Sequence, residues 1–385
     1  MKIAGRHAQV TGIGNTEYAR KIDRPVEVLG LEAVLAAAAD AGIAPAQIDG
    51  IINYPGHVGE DVLLTNLALP HVKFRATVDL GGTSAVSGLR LAAMAVLTGV
   101  ASNVLLLRAI KGSSGLRKAD RPSFLPGRNY RQQLEATHGW NAPSQRYAML
   151  CRRYMHEYGL KRETLGEIAL AARFHANLNP NAQMHARTMT MDDYLASRPI
   201  ADPYHLLDCS QETDGACAVI VSAGTTASQP AARGIRILGT AESHGVSPID
   251  ISNREPFLSV GLTRAAQDVW RQTGLGPNDM DAAMIYDCFT FEVLHQLEDA
   301  GFAAHGRGVD LVADGQIRLG GKLPVNTHGG MLSEAHMAGL NHVVEAVRQL
   351  RGEATGRQVL GARHIAVSGW GNLGDGSFAV LGGGS

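Results

Sequence analysis

Two segments of this 385-residue chain combine side chains able to move protons with backbone able to approach a ligand closely. In Tyr286-Asp287-Cys288-Phe289 a phenol stands where an apolar strand gives way to a helical pattern at 292–300. There it can hydrogen-bond a substrate oxygen or exchange a proton with it. In Asn326-Thr327-His328-Gly329-Gly330-Met331-Leu332-Ser333-Glu334-Ala335-His336 a Gly-rich turn leads into a helix expected to run through Arg351, with His336 near its start and His342 further along. Imidazole titrates near neutrality, so His336 beside such a turn can act as a general base or donate to a developing oxyanion. Cys288, between Asp287 and Phe289, has no evident cation to lower its pKa and reads as a packing residue. The run Gly369-Trp370-Gly371-Asn372-Leu373-Gly374 fits GxGxxG, but 377–381 reads as another strand rather than the helix a dinucleotide site requires. It is better read as a turn between strands whose N–H groups can face a ligand. Gly12-Ile13-Gly14 lacks the third glycine, and no HExxH or Cys/His spacing points to a metal.

These groups sit on elements that repeat. GIAPAQIDGIINY at 42–54 returns as GLGPNDMDAAMIY at 274–286, with Gly, Pro, Asp and Tyr in step. In each copy a helical stretch (27–41; 259–273) ends at a glycine suited to a left-handed cap, and a polar turn then leads to an apolar strand. Tyr54 and Tyr286 therefore occupy equivalent strand ends. A duplicated helix–turn–strand unit implies an α/β protein of two pseudo-two-fold-related halves, with its site where the strand ends converge. Residues 1–112 give strands at 8–12, 50–54, 74–80 and 103–108 and a small-residue helix at 84–98. Residues 113–200 begin with a charged, turn-rich stretch followed by helical patterns at 144–158 and 162–177, and read as an inserted loop domain over the site. The expected division is thus 1–112 with 201–240 for the N-terminal half, 113–200 for the insert and 241–385 for the C-terminal half.

Lys and Arg number 35 against 36 Asp and Glu, so no global field draws the chain to nucleic acid or an anionic membrane. No stretch resembles a signal peptide or a membrane span, which leads to the expectation of a cytoplasmic protein. Its four cysteines are scattered without a CxxC pair and suggest reduced thiols.

RRYMHEYGLKRETL at 152–165, DYLASRPIADPYHLLDCSQETDGACAVIV at 193–221, YDCF at 286–289, NTHGGMLSEAHMAG at 326–339 and the C-terminal GWGNLGDGS stand in the order of the thiolase superfamily. The chain resembles in particular the sterol-carrier-protein-type thiolases. That likeness covers nearly the whole chain and implies a layered α-β-α-β-α fold of two halves. Thiolases carry Asn or His before an acidic residue and a Phe, where this chain has Tyr286, and Gly-His-Pro where it has Ala335-His336-Met337. Their nucleophilic cysteine, placed by counting back from Gly99-Val100-Ala101, falls at Gly82, and their C-terminal Cys or His falls at or near Gly371. A glycine forms no acyl-enzyme, and Thr83 or Ser84 at a helix start suit N-capping better than attack.

What the resemblance leaves is a Gly-lined pocket with Tyr286 and His336 as catalytic residues and Gly82, Asn326, Gly330 and Gly371 as substrate-binding or oxyanion positions. Such a set suits retro-aldol cleavage of a β-hydroxyacyl-CoA without a covalent intermediate. The steroid side-chain aldolases resemble this chain in lacking the cysteine; they place tyrosines at the positions of Tyr286 and His336. The likeness implies acyl-CoA as substrate, no cofactor beyond the CoA that the substrate carries, a homodimer formed around Gly82 and the helix after it, and a small OB-fold/zinc-ribbon subunit. Two rivals are an acyltransferase in which Cys288 or Ser84 takes the acyl group, and a non-catalytic acyl-CoA-binding subunit.

Overall fold

Apolar runs separated by Gly- and Pro-containing turns become the strands of one mixed sheet in the computed structural model, which describes residues 2–3, 5–54, 58–115, 135–140, 142–225, 233–245 and 254–383. In chain order the strands are β1 (Lys2–Ile3), β2 (Arg6–Asn15), β3 (Gly50–Asn53), β4 (Phe74–Thr77), β5 (Asn103–Lys111), β6 (Pro199–Ala201), β7 (Tyr204–His205), β8 (Asp214–Thr225), β9 (Ile235–His244), β10 (Ala282–Met284), β11 (His364–Gly371) and β12 (Asp375–Gly382). β6 and β7 pair only with each other, and β1 pairs only with β2. The remaining strands run in the order β10-β11-β12-β9-β2-β8-β5-β3-β4.

Apart from the edge strand β4, that order is symmetric about the β9–β2 pair. Outward from β2, β8 and β5 are antiparallel and β3 is parallel to β5; outward from β9, β12 and β11 are antiparallel and β10 is parallel to β11. The halves meet where Gln9 and Val10 of β2 pair with Arg236 and Ile235 of β9. The outer helices obey the same symmetry: Val26–Asp40 lies on β2 and β8, and Leu262–Thr273 lies on β9 and β12. Both helices end at left-handed glycines, Gly42 (φ 67°) and Gly274 (φ 70°), as the repeat implies. The Gly12-Ile13-Gly14 motif serves packing. A Cβ at Gly12 or Gly14 would lie 2.1 or 2.3 Å from a carbonyl oxygen of the Val26–Asp40 helix, so the glycines let that helix settle onto β2.

Helices Ser84–Thr98 and Leu340–Arg351 fill one core together with β2, β5, β8, β9, β11 and β12. Ser84–Thr98 is apolar or small on nearly all sides because strands of both halves cover it. Of the insert, helices Pro143–Tyr158 and Arg162–Asn177 share a core with the helix Thr290–Asp299, while the charged stretch at 116–134 lies outside the described residues. Two expected elements differ. The strand at 74–80 stops at Thr77, where the chain turns toward Gly81–Thr83. The helix expected from the Gly-rich turn to Arg351 is broken: Gly330–Glu334 forms a π-turn, Ala335 is extended (φ −167°, ψ 143°) and the helix begins only at Leu340.

Candidate active site

Tyr286 lies just past the end of β10, and three hydrogen bonds hold the backbone here. Asn326 accepts from the Ile285 N–H (2.7 Å) and donates to the Ile285 carbonyl (2.8 Å), while Gln296 donates to the Tyr286 carbonyl at 2.6 Å. The next residue, Asp287, accepts from the N–H groups of Met331 (2.8 Å) and Leu332 (3.2 Å), and its Oδ1 lies 3.0 Å from His342 Nε2. A buried carboxylate satisfied this fully fixes the strand end on which the phenol is carried. The Tyr286 hydroxyl itself makes no hydrogen bond among the described residues. Burial raises its pKa well above the ordinary phenol value, with Cys288 and Tyr147 adding to the shift and Arg108 opposing it. The phenol therefore rests neutral.

Its ring occupies the space into which any side chain at position 82 would project. Gly82 sits in the turn Gly81–Thr83 ahead of helix Ser84–Thr98, and a Cβ built there would meet Tyr286 Cζ at 2.4 Å and the Trp370 carbonyl oxygen at 2.1 Å. Ser84 Oγ accepts from the Leu80 N–H at 3.0 Å, and Thr83 Oγ1 donates to the Leu80 carbonyl at 2.7 Å. Both hydroxyls are committed to the turn.

Tyr286, Gly82 and His336 line one cavity of about 760 Å³, together with Cys288, Phe289 and Tyr147. His336 lies in the non-helical connection before Leu340, not on the helix. Its N–H donates to Thr213 Oγ1 (2.9 Å), and its Nδ1 accepts from the Ala338 N–H (3.4 Å), which in the neutral ring assigns the proton to Nε2. His342 is elsewhere, buried against Asp287 and the Ile285 carbonyl.

Three expected positions do not line this cavity. Asn326 is buried with its amide committed to Ile285, so it positions Tyr286 instead of meeting a ligand. Gly330 makes room for Asp287: a Cβ there would fall 2.0 Å from Oδ2. Gly371 packs against Leu80 and Gly82, and its neighbours Asn372 and Leu373 form the wall. The GxGxxG stretch is the β11–β12 hairpin, with Asn372 (φ 48°) and Leu373 (φ 66°) both left-handed at its turn. The sequence reading missed the cavity's cationic lining, Arg20, Arg146, Arg173, Arg187 and Arg198, supplied by separate segments. It also missed Tyr147, whose ring lies 5.6 Å from Phe289 and 5.4 Å, edge-on, from Trp370. Among the described residues no group of three His, Cys, Asp or Glu is placed to hold a metal ion.

Residues 243–382 match the family described as Thiolase C-terminal domain-like. Over 363 residues the chain is 38% identical to a steroid side-chain-cleaving aldolase of Thermomonospora curvata, covering 91% of this chain and 92% of that relative. The chain belongs to this aldolase branch of the thiolase superfamily. It is a carbon–carbon lyase of that superfamily. The aldolase branch includes the 17-hydroxy-3-oxo-4-pregnene-20-carboxyl-CoA lyase of Mycobacterium tuberculosis, 37% identical over 373 residues and covering 94% of this chain and 95% of that one. The solved Ltp2–ChsH2(DUF35) aldolase superposes with a TM-score of 0.89 at 36% identity, covering 98% of each chain. Human mitochondrial 3-ketoacyl-CoA thiolase, at 16% identity and a TM-score of 0.71 with all of both chains covered, shares the thiolase fold.

Proposed function

We propose that this aldolase cleaves the Cα–Cβ bond of a β-hydroxyacyl-CoA, of steroid side-chain type, by a non-covalent retro-aldol reaction. The observation that carries the reading is the Tyr286 ring in the space above Gly82, which puts a phenol and no nucleophilic side chain at this part of the cavity wall. The names of the two relatives, a side-chain-cleaving aldolase and a carboxyl-CoA lyase, support the substrate class. So does the cavity, apolar on the aromatic side and lined elsewhere by arginines. Arg146 is paired with Glu135 and Arg173 is bonded to Ser333, which leaves the exposed Arg20, Arg187 and Arg198 to meet the phosphates of CoA.

In this reading the thioester oxygen lies against His336 Nε2–H, which stabilises enolate charge as the Cα–Cβ bond breaks. The Tyr286 oxygen receives the β-hydroxyl proton while its own proton passes to solvent water entering the cavity. A phenol held neutral by burial is suited to such a relay and not to service as a resident phenolate. The β-carbon leaves as a ketone and the α-carbon is protonated, giving a shorter acyl-CoA. Removing one oxyanion donor costs about 10²–10³-fold in rate, so His336→Ala lowers kcat by about that factor. His336→Gln, which keeps an N–H donor, recovers part of it; steady-state kinetics of both variants check the assignment.

The assembly proposed with this activity is a cytoplasmic homodimer working with a small OB-fold/zinc-ribbon subunit. The two-component name of the Ltp2–ChsH2(DUF35) aldolase supports the second component. No helix among the described residues is long and apolar enough to cross a membrane, consistent with the location. The reading is tested by incubating the chain, alone and co-expressed with a small subunit of this kind, with a steroidal β-hydroxyacyl-CoA. A ketone and a shortened acyl-CoA are expected in equal amounts, with no mass increase on the protein. An acyl adduct, or binding without cleavage in either form, overturns it.

A further inference from the structure

Resting on that reading, we infer that Cys288 is the acid that protonates the α-carbon of the enolate, and that Glu292, hydrogen-bonded behind it, returns the proton to sulfur. A retro-aldol cleavage needs two proton transfers, one from the β-hydroxyl and one to carbon. Tyr286 and His336 account for the first and for the enolate oxygen, and the position expected near Gly371 has no side chain to provide the second.

Cys288 lines the same cavity, two residues beyond Tyr286, and is close enough to raise the pKa of that phenol. Its thiol faces the carboxyl of Glu292, one helical turn on, with Sγ 3.8 Å from Oε2, within reach of a sulfur hydrogen bond. Glu292 is fully buried. Its other oxygen accepts from the Tyr204 hydroxyl at 3.1 Å. The ionisable groups around it are Tyr204, Cys288 and Cys151, with Asp208 beyond them. Burial is the main reason its pKa is pushed up to about 8, with Tyr204 and Cys288 pulling the other way. At neutral pH Glu292 therefore carries a proton, which an ordinary glutamic acid would have lost. A protonated carboxyl behind a thiol at the cavity wall can hand its proton to that thiol.

The step balances. The S–H bond of Cys288 breaks as the new C–H bond forms, and the enolate electron pair becomes the C–H pair. The Glu292 proton moves to sulfur, and the carboxylate is re-protonated from water between turnovers. The proton released by the β-hydroxyl through Tyr286 balances the one taken up. In reverse the same pair removes an α-hydrogen from the product, and that direction requires Glu292 to be ionised.

Both directions can be read. In D2O with propionyl-CoA, the intact chain with its small subunit is expected to exchange α-hydrogen for deuterium, at a rate that rises with pH and levels off above about 8. Cys288→Ala is expected to lower this exchange and the forward cleavage by at least about 100-fold, within the range of acid–base groups. Cys288→Ser, a weaker acid of similar size, is expected to fall between. Glu292→Gln is expected to slow exchange and remove its inflection, an effect that a packing role would not produce. Circular dichroism and thermal melting confirm that each variant folds. Undiminished exchange in Cys288→Ala, an unchanged pH profile in Glu292→Gln, an acyl group on Cys288, or a wild type that cleaves substrate yet exchanges nothing each overturns the inference. Failure of the wild type to cleave at all overturns the retro-aldol reading instead.

Discussion

Tyr286→Phe is expected to lower kcat/KM for β-hydroxyacyl-CoA cleavage by about 10³-fold, near 4 kcal/mol of transition-state stabilisation at 1.36 kcal/mol per decade. The substitution removes one oxygen and leaves the ring over Gly82, between the Trp370 carbonyl and Gly339. The polar network beneath it is untouched, because Asn326, Gln296 and Asp287 hold the backbone on either side and not the phenol. The hydroxyl makes no hydrogen bond among the described residues, so its loss strands no buried partner there. Stability should change by less than about 1 kcal/mol, the scale of one modest hydrogen bond, while cleavage collapses. Thermal melting beside steady-state kinetics separates the two. A loss below tenfold with the fold intact would show that the β-hydroxyl proton leaves by another route.

The parts of this site legible in the sequence are those encoded by local chemistry. The repeat at 42–54 and 274–286 exposed both halves because a glycine cap, a polar turn and an apolar strand each leave a mark within a few residues. It placed Tyr286 at a strand end, and the fold puts that end at the cavity. What stayed hidden depends on partners far away in the chain. Asn326 reads the same whether its amide meets a ligand or clamps Ile285, and only the fold decides for Ile285. The break before Leu340 was masked because residues 331–338 contain no proline or glycine and suit a helix in composition, while the left-handed conformations of Gly330, Ala338 and Gly339 that end the turn come from the fold. The contact between Cys288 and Glu292 was hidden too, because Glu292 is a polar residue whose burial no periodicity announces. The arginines around the cavity come from five stretches, one around Arg20 in the N-terminal half and four in the insert, and only the fold brings them together.

The reciprocal test of the Tyr286–Gly82 contact is Gly82→Cys, which puts a thiol at the position where the thiolase resemblance implies a nucleophile. It is expected to abolish cleavage without creating a thiolase. An introduced Cβ would lie 2.4 Å from Tyr286 Cζ and 2.1 Å from the Trp370 carbonyl oxygen. The second of these is backbone of β11, one residue from the hairpin that Asn372 and Leu373 turn, and it yields less readily than a side chain. Overpacking of this kind costs about 1–3 kcal/mol, seen as a lower melting temperature, and whatever relief occurs moves the Tyr286 ring. A displacement of about 1 Å at a reacting group can cost 10²-fold in rate, so the loss of activity exceeds the loss of stability. The introduced thiol also lacks room to reach a thioester while the ring is present, and intact mass after incubation with acyl-CoA should show no adduct. Combining Gly82→Cys with Tyr286→Ala empties the ring's volume. The Trp370 contact remains and the emptied ring volume costs stability of its own, but an adduct at position 82 becomes sterically possible although cleavage does not recover. Native stability with undiminished cleavage in the single variant would mean that ring and glycine are not mutually exclusive, and the substitution of phenol for nucleophile would lose its structural basis.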